Sequence, residues 1–247
     1  ITVSDPTSVV RTATIINSGL APWSADNFDL SLESYGIKGA VVSAGLFRKD
    51  LKNFFLQVRA PATLAQLESF GLNDDYLDYE VITKTNGGEA SVEGYEVSWR
   101  QSWHFLPAWA RGVQVFANAS AQRATGEAAE NFAGYIPRSG SWGLSLTRER
   151  WNARVNWNYR GRQRRGLAAS GASIEPGTYT WGSKRLYIDV SGEYSLTRRV
   201  ALFANLRNIG DATEDQQIAG PSTPAHARFR QRLDFASLWT LGVKATF

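Results

Sequence analysis

Cysteine and methionine are both missing from the 247 residues, and histidine occurs only twice. Without cysteine there is no disulfide framework and no thiolate metal site, and a chain exported through an oxidising compartment has no thiol to mispair. His104 and His226 lie far apart, with no serine or carboxylate motif beside either, so no catalytic constellation can be assembled. Asp74, Asp75 and Asp78 are close together, but DDYLD lacks the glycine and the closing glutamate of a calcium loop. No run of 18 or more apolar residues occurs, which excludes a membrane-spanning helix, and no signal peptide opens the sequence. With Ile1 first and no methionine anywhere, the expectation is a piece of a longer protein.

What is present points to strands. Nine Trp, nine Tyr and twelve Phe are spread along the chain, and the 22 glycines are scattered and form no linker, a composition of β architecture. The formal charge is +4 with a pI near 9.4. The basic residues are dispersed, so counterion release is small and nucleic acid is not an expected partner.

Period-two alternation recurs. Phe28, Leu30 and Leu32 alternate with Asp29, Ser31 and Glu33. Tyr95, Val97, Trp99 and Trp103 share one parity against Glu96, Ser98, Arg100 and Ser102. Val113, Val115, Ala117 and Ala119 oppose Gln114, Asn118 and Ser120; Trp142, Leu144 and Leu146 oppose Ser141 and Ser145. Trp151, Val155, Trp157 and Tyr159 oppose Asn152, Arg154, Asn156 and Asn158. Leu186, Ile188, Val190 and Tyr194 oppose Asp189, Ser191 and Glu193, and Val200, Leu202 and Leu206 oppose Asn205 and Arg207. Trp239, Leu241, Val243, Ala245 and Phe247 share the last apolar parity. Between residues 39 and 59 both parities are apolar, and one long bent strand is expected there.

These are nine strands, and their connections alternate in length. Links at 36–38, 104–110, 148–150 and 195–198 are short; those at 60–89, 124–138, 162–183 and 208–234 are long. A soluble sandwich has no reason to sort its loops so, whereas an outer-membrane barrel has short periplasmic turns and longer outer loops. With the last strand descending, Trp103, Trp151, Tyr194 and Phe247 fall at periplasmic ends on the apolar parity, and Trp157 and Tyr159 at an outer end, as in aromatic girdles. The polar parity is rich in Asn, Gln, Ser, Arg and Glu, costly in a dry core and natural against a hydrated lumen. The rival reading is a soluble antiparallel barrel or sandwich.

Several segments resemble landmarks of the TonB-dependent receptors. SGLAPWSADNFDLSLESY resembles their loop-to-strand entry, although Ser18, Gly19 and Trp23 replace the usual loop residues. Gly94, Glu96, Leu106, Pro107, Gly112 and Asn118 carry a descending strand, a Leu-Pro turn and a strand with an Asn. Asn158, Tyr159 and Arg160 end a hairpin; Asn208, Ile209, Gly210 and Asp211 resemble the N-L-x-D turn; SLWTLGVKATF resembles the closing strand. The resemblance covers roughly residues 18–247. It implies an all-β, antiparallel up-and-down transmembrane barrel, incomplete, with about nine C-terminal strands of a larger barrel of 22. Residues 1–24 are then an extracellular loop segment and 25–247 barrel, with the plug domain absent. Nine strands leave two unpaired edges that cannot face lipid, so the chain is not expected to work alone.

The resemblance further implies energised transport of a scarce nutrient (a siderophore, cobalamin or an oligosaccharide) across the bacterial outer membrane. The implied partners are outer-membrane lipids and lipopolysaccharide, the barrel-assembly machinery, TonB through the missing N-terminal part, and a small nutrient ligand; neither a cofactor nor an enzyme activity is implied. The other class is a structural or adhesive barrel. Ligand contacts are expected from outer loops. Tyr179, Trp181 and Arg185 are candidates because aromatic faces suit sugars and arginine suits carboxylates. Arg162 and Arg164, in the basic run RGRQRR, suit an anionic ligand or lipopolysaccharide phosphate. Trp239, Leu241, Val243 and Phe247 are expected to face lipid and to signal insertion.

Overall fold

The computed structural model describes residues 1–4, 11–104, 106–108, 111–126, 129, 134–168, 174–175 and 177–246. In chain order the strands are β1 (Thr2–Val3), β2 (Thr12–Ile15), β3 (Ser24–Ser34), β4 (Ala40–Lys52), β5 (Phe55–Pro61), β6 (Glu80–Asn86), β7 (Ala90–Ser102), β8 (Val113–Thr125) and β9 (Arg138–Thr147). They continue as β10 (Trp151–Arg160), β11 (Gln163–Leu167), β12 (Tyr179–Gly182), β13 (Arg185–Ser195), β14 (Val200–Arg207), β15 (Thr213–Ala219), β16 (Phe229–Asp234) and β17 (Leu238–Ala245).

The alternating segments become one nine-stranded sheet, in the order β17-β14-β13-β10-β9-β8-β7-β4-β3. Each strand pairs antiparallel with the next of the nine in sequence, as the alternation predicts. Register keeps the apolar sets together: Val42 faces Trp99, Trp99 faces Ala117, Ala117 faces Trp142, and Trp142 faces Trp157. A slip of one residue in any pair would turn that strand's apolar set onto the polar face. β3 and β17 end the order and do not pair with each other, so the barrel is unclosed.

Among the described residues no second layer covers the apolar face. Leu30 is 69% exposed, Leu241 73% and Trp142 39%. Trp142 and Trp157 stack at 6.5 Å with rings 5° from parallel, as cross-strand neighbours within one sheet rather than across an interior shared by two. A sandwich would have buried them. Along β10 the outward positions from Trp151 to Tyr159 span eight residues, about 27 Å of strand and roughly 21 Å of height at a tilt of about 40°, near the apolar band of a barrel. Trp151 lies directly opposite Tyr194 at the short-turn end.

On the other face, three phenylalanines each lie opposite a glycine: Phe47 and Gly94, Phe116 and Gly143, Phe203 and Gly242. A Cβ on those glycines would come within 2.7, 2.6 and 2.6 Å of the opposing ring. The rings therefore lie flat over bare backbone, where any side chain would have to displace them.

The long connections are not plain loops. β1, β2, β6 and β5 form one four-stranded sheet, and β11, β12, β15 and β16 another. The second repeats the order of β10, β13, β14 and β17, of which its strands are continuations, so the wall is carried upward as a second storey. The expected long strand over 39–59 is corrected accordingly. β4 ends at Lys52, Asn53 turns with a φ of 59°, and β5 joins β6 in the other sheet. Both parities are apolar there because the residues serve two sheets. The multi-residue hydrophobic cluster of the described residues sits in this outer layer, where Ile15, Ala62, Leu67 and Val81 pack with Leu72 and Tyr76. Leu67 comes from a short helix, α1 (Leu64–Ser69), capped by Thr63.

Candidate ligand-binding site

Between its three phenylalanines, the inward face of the large sheet carries rows of short polar side chains. Ser43, Ser98, Asn118, Ser141 and Asn158 stand opposite one another across five strands. Ser43 and Ser98 share a hydroxyl bond of 2.7 Å, and Asn118 donates to Ser141 at 3.4 Å. The next row outward runs Glu96, Ser120, Ser139, Arg160 and Arg185, with a 2.7 Å bond between the two serines. This row ends in two arginines directly opposite each other, a repulsive arrangement unless anions are near.

The compensating anion is Glu214, only 1% exposed, which accepts from Arg165 and, at 2.8 Å, from Arg185. Three strands meet there. Arg165 is the extra residue of a bulge, since Arg164 faces Trp181 while Gly166 already faces Thr180; a bulge re-aims a side chain. Gly182 leaves the room, because a Cβ there would lie 2.5 Å from a Glu214 oxygen and 3.2 Å from Arg165 Nε. The Arg185 guanidinium also lies 5.0 Å from the Tyr187 ring and 5.2 Å from Phe235.

Directly outside this junction, β11 and β12 form a ladder of cations on aromatic faces. Arg162 lies 4.2 Å over Trp181 and Arg164 4.6 Å over Tyr179. Arg162 also donates to Gln217 of β15 at 3.3 Å, and Arg164 to the Ala129 carbonyl at 2.7 Å. Stacking fixes each guanidinium plane while leaving part of its fork of donors available, an arrangement suited to planar anions. Two further carboxylates brace the outer layer. Arg232 holds the Asp215 carboxyl below its usual range through bonds of 2.6 and 3.0 Å, and the Ser222 hydroxyl and main-chain N–H do the same for Glu175.

All five ligand candidates named from sequence, Arg162, Arg164, Tyr179, Trp181 and Arg185, are thus brought to one region. Arg185 stands in β13 at the junction and the other four in the ladder. Arg160 and Arg165 belong to the basic run RGRQRR already singled out, whereas Glu214, Gln217, Tyr187 and Phe235 were not anticipated. Arg160 was visible on the polar parity. Glu214 was not, because its partners lie 49 and 29 residues away. Trp239, Leu241 and Val243 share the exposed outward face of β17, and Phe247 lies outside the described residues. His104 sits in a turn against Gly39, and His226 in a one-turn 3-10 helix of an outer connection.

An unclosed antiparallel sheet with one apolar and one polar face, short turns at one end and strand-bearing connections at the other, is a sector of a transmembrane β-barrel. The chain belongs to the TonB-dependent receptors: the family described as "TonB dependent receptor-like, beta-barrel" matches residues 4–209. Among solved structures it is similar to a variant of the ferric enterobactin receptor from Pseudomonas aeruginosa in complex with enterobactin, at 19% identity and a TM-score of 0.64 over 96% of this chain and 34% of that one. It is also similar to the FrpB iron transporter from Neisseria meningitidis, at 13% and 0.61 over 96% and 33%, and to the copper transporter OprC, at 16% and 0.60 over 93% and 32%. At these identities the likeness concerns the fold. The chain spans about a third of the length of these proteins. Comparison with curated proteins gives no match.

Proposed function

We propose that this chain forms the wall and outer rim of an outer-membrane transporter that takes up an anionic nutrient chelate, driven by TonB through a part of the protein outside these 247 residues. The observation that carries the reading is the ladder in which Arg162 stacks on Trp181 and Arg164 on Tyr179, immediately outside the paired arginines Arg160 and Arg185. Such a surface offers rings and bidentate donors together, which favours a charged iron or copper chelate over a neutral oligosaccharide. The serines and asparagines of the inward wall give a released ligand a hydrated surface. Ferric enterobactin, for which one of the similar solved structures is named, is a ligand of this class.

The test uses the full-length protein in a strain lacking its own receptors, supplied with labelled ferric chelates, cobalamin and oligosaccharides, with and without TonB. TonB-dependent uptake of an anionic chelate is expected. Arg162→Ala with Arg164→Ala, or Trp181→Ala alone, should lower it at least about tenfold, the loss of one or two charge-assisted contacts, at unchanged outer-membrane level. Uptake that ignores these substitutions or TonB would overturn the proposal, and surface binding without uptake would assign the chain to an adhesive barrel.

A further inference from the structure

The outward face breaks its apolar pattern at one height. Across β3, β4, β7 and β8 one outward row reads Leu30, Leu46, Tyr95, Ala121. The next, two residues or roughly 7 Å along the strands toward the outer end, reads Phe28, Arg48, Glu93, Arg123. Arg138, opposite Ala121, adds a third guanidinium from β9. Between these side chains lies an open recess of about 910 Å³, with Tyr95 and Leu46 on its inner side and Tyr135 on its outer side.

An arginine facing hydrocarbon at the bilayer centre costs about 2–4 kcal/mol, falling to about 0–1 at the interface, so this row marks the outer boundary of the apolar layer. The recess is lined by three guanidinium groups and one carboxylate, Glu93, and a second carboxylate, Asp50, pairs with Arg48 from beside it. Arg48 donates to both Asp50 oxygens through Nε, at 2.9 and 3.1 Å, and its terminal nitrogens make no bond among the described residues. Arg123 is held by Glu93 at 2.5 Å yet its side chain is 75% exposed. Arg138 has no carboxylate partner among the described residues. Counting Asp50, the recess therefore has one positive charge in excess, a fork of free donors, and Tyr135 on the side where such rings sit against headgroups.

We propose that this recess binds the phosphate of an outer-leaflet glycolipid, with the guanidinium groups of Arg48, Arg123 and Arg138 on the phosphate oxygens and an acyl chain descending over the exposed Leu46 and Tyr95. Bidentate arginine suits phosphate, and the apolar floor directly below it is what separates a lipid from a free anion. The inference rests on the outward face meeting lipid; it does not depend on which nutrient is carried.

The full-length protein, extracted from outer membranes in mild detergent, is examined by native mass spectrometry for retained lipopolysaccharide, then exchanged against added lipopolysaccharide, its dephosphorylated form, or inorganic phosphate. The unaltered protein is expected to retain a phosphorylated glycolipid, and the triple variant Arg48→Gln, Arg123→Gln, Arg138→Gln to retain at least about tenfold less, with unchanged heat-dependent gel mobility as the sign of a folded barrel. If the triple variant fails to fold, Arg138→Gln alone, which breaks no ion pair among the described residues, should still weaken retention. Equal retention by the folded variants, equal retention of dephosphorylated glycolipid, or displacement by millimolar inorganic phosphate would each overturn the site. Loss of nutrient uptake is a separate readout, so a wrong ligand class for transport leaves this result standing.

Discussion

Glu214 shows how one side chain joins the two storeys of the wall. Burying a carboxylate is tolerable because two guanidinium groups from different strands reach it, and removing one member of such a group costs far more than the group contributes. Glu214→Gln should therefore destabilise the outer sheet by about 3 kcal/mol, the lower part of the range for a broken buried pair, since Arg165 keeps a third of its side chain in water. Amide hydrogen exchange in β11, β12 and β15 of the full-length protein measures it. Faster exchange there, with β8 and β9 unchanged, is expected; unaltered protection would mean that strand pairing alone holds the storey. Asn208 ties the same junction on the other side. Its φ is 51°, its side chain accepts from the Ala212 N–H at 2.9 Å and donates to the Ala236 carbonyl at 3.0 Å, and its own N–H donates to Asp189. That is a physical account of the N-x-x-D turn that the sequence displays.

Among the elements, the nine wall strands were legible and the outer strands were not. A strand between lipid and water must alternate, and β10 does so without a break from Trp151 to Tyr159. β11 reads QRRGL and β15 reads TEDQQIA, with no apolar parity, and they are strands because β10 and β14, on either side of β13, deliver them to the two edges of β12. The end of β4 is not legible in the sequence, because two apolar parities look alike whether a strand bends or changes sheets. The ligand candidates were named from chemistry alone, and only the β11–β12 pairing explains why Arg162 and Arg164 reach Trp181 and Tyr179. β17 combines both kinds of information, for its outward residues Trp239, Leu241 and Val243 were readable as a lipid-facing row and its pairing with β14 keeps them in one. We infer that this row is what the barrel-assembly machinery reads. In the full-length protein, Trp239→Ser with Leu241→Ser and Val243→Ser should cut the outer-membrane level severalfold, each change forfeiting about 1.5–3 kcal/mol of apolar transfer. Thr240→Ala with Lys244→Ala, on the inward parity, should leave that level intact. Equal levels for the two variants would remove the strand's role in insertion.

For the molecule as a whole, the two faces of one sheet are set against two different solvents. The inward face satisfies its polar groups in cross-strand pairs such as Ser43 with Ser98 and Ser120 with Ser139. Among the described residues the outward face has no protein partner, and its large side chains stay exposed while the clustered hydrophobic core lies in the outer layer. A soluble sheet would place its core under the apolar face. The difference yields a comparison on a single strand. Leu144 is an outward residue of β9, flanked by Val115 and Val155, and Ser141 is an inward one, flanked by Asn118 and Asn158. Leu144→Arg forces a charge into hydrocarbon near mid-depth and should destabilise the full-length barrel in lipid vesicles by about 2–4 kcal/mol, whereas Ser141→Arg meets water and polar groups and should cost about 1 kcal/mol or less. Urea unfolding of both variants in the same vesicles reads the difference directly. A larger loss for Ser141→Arg than for Leu144→Arg would reverse the assignment of the faces, and with it the direction in which the arginines of the rim point.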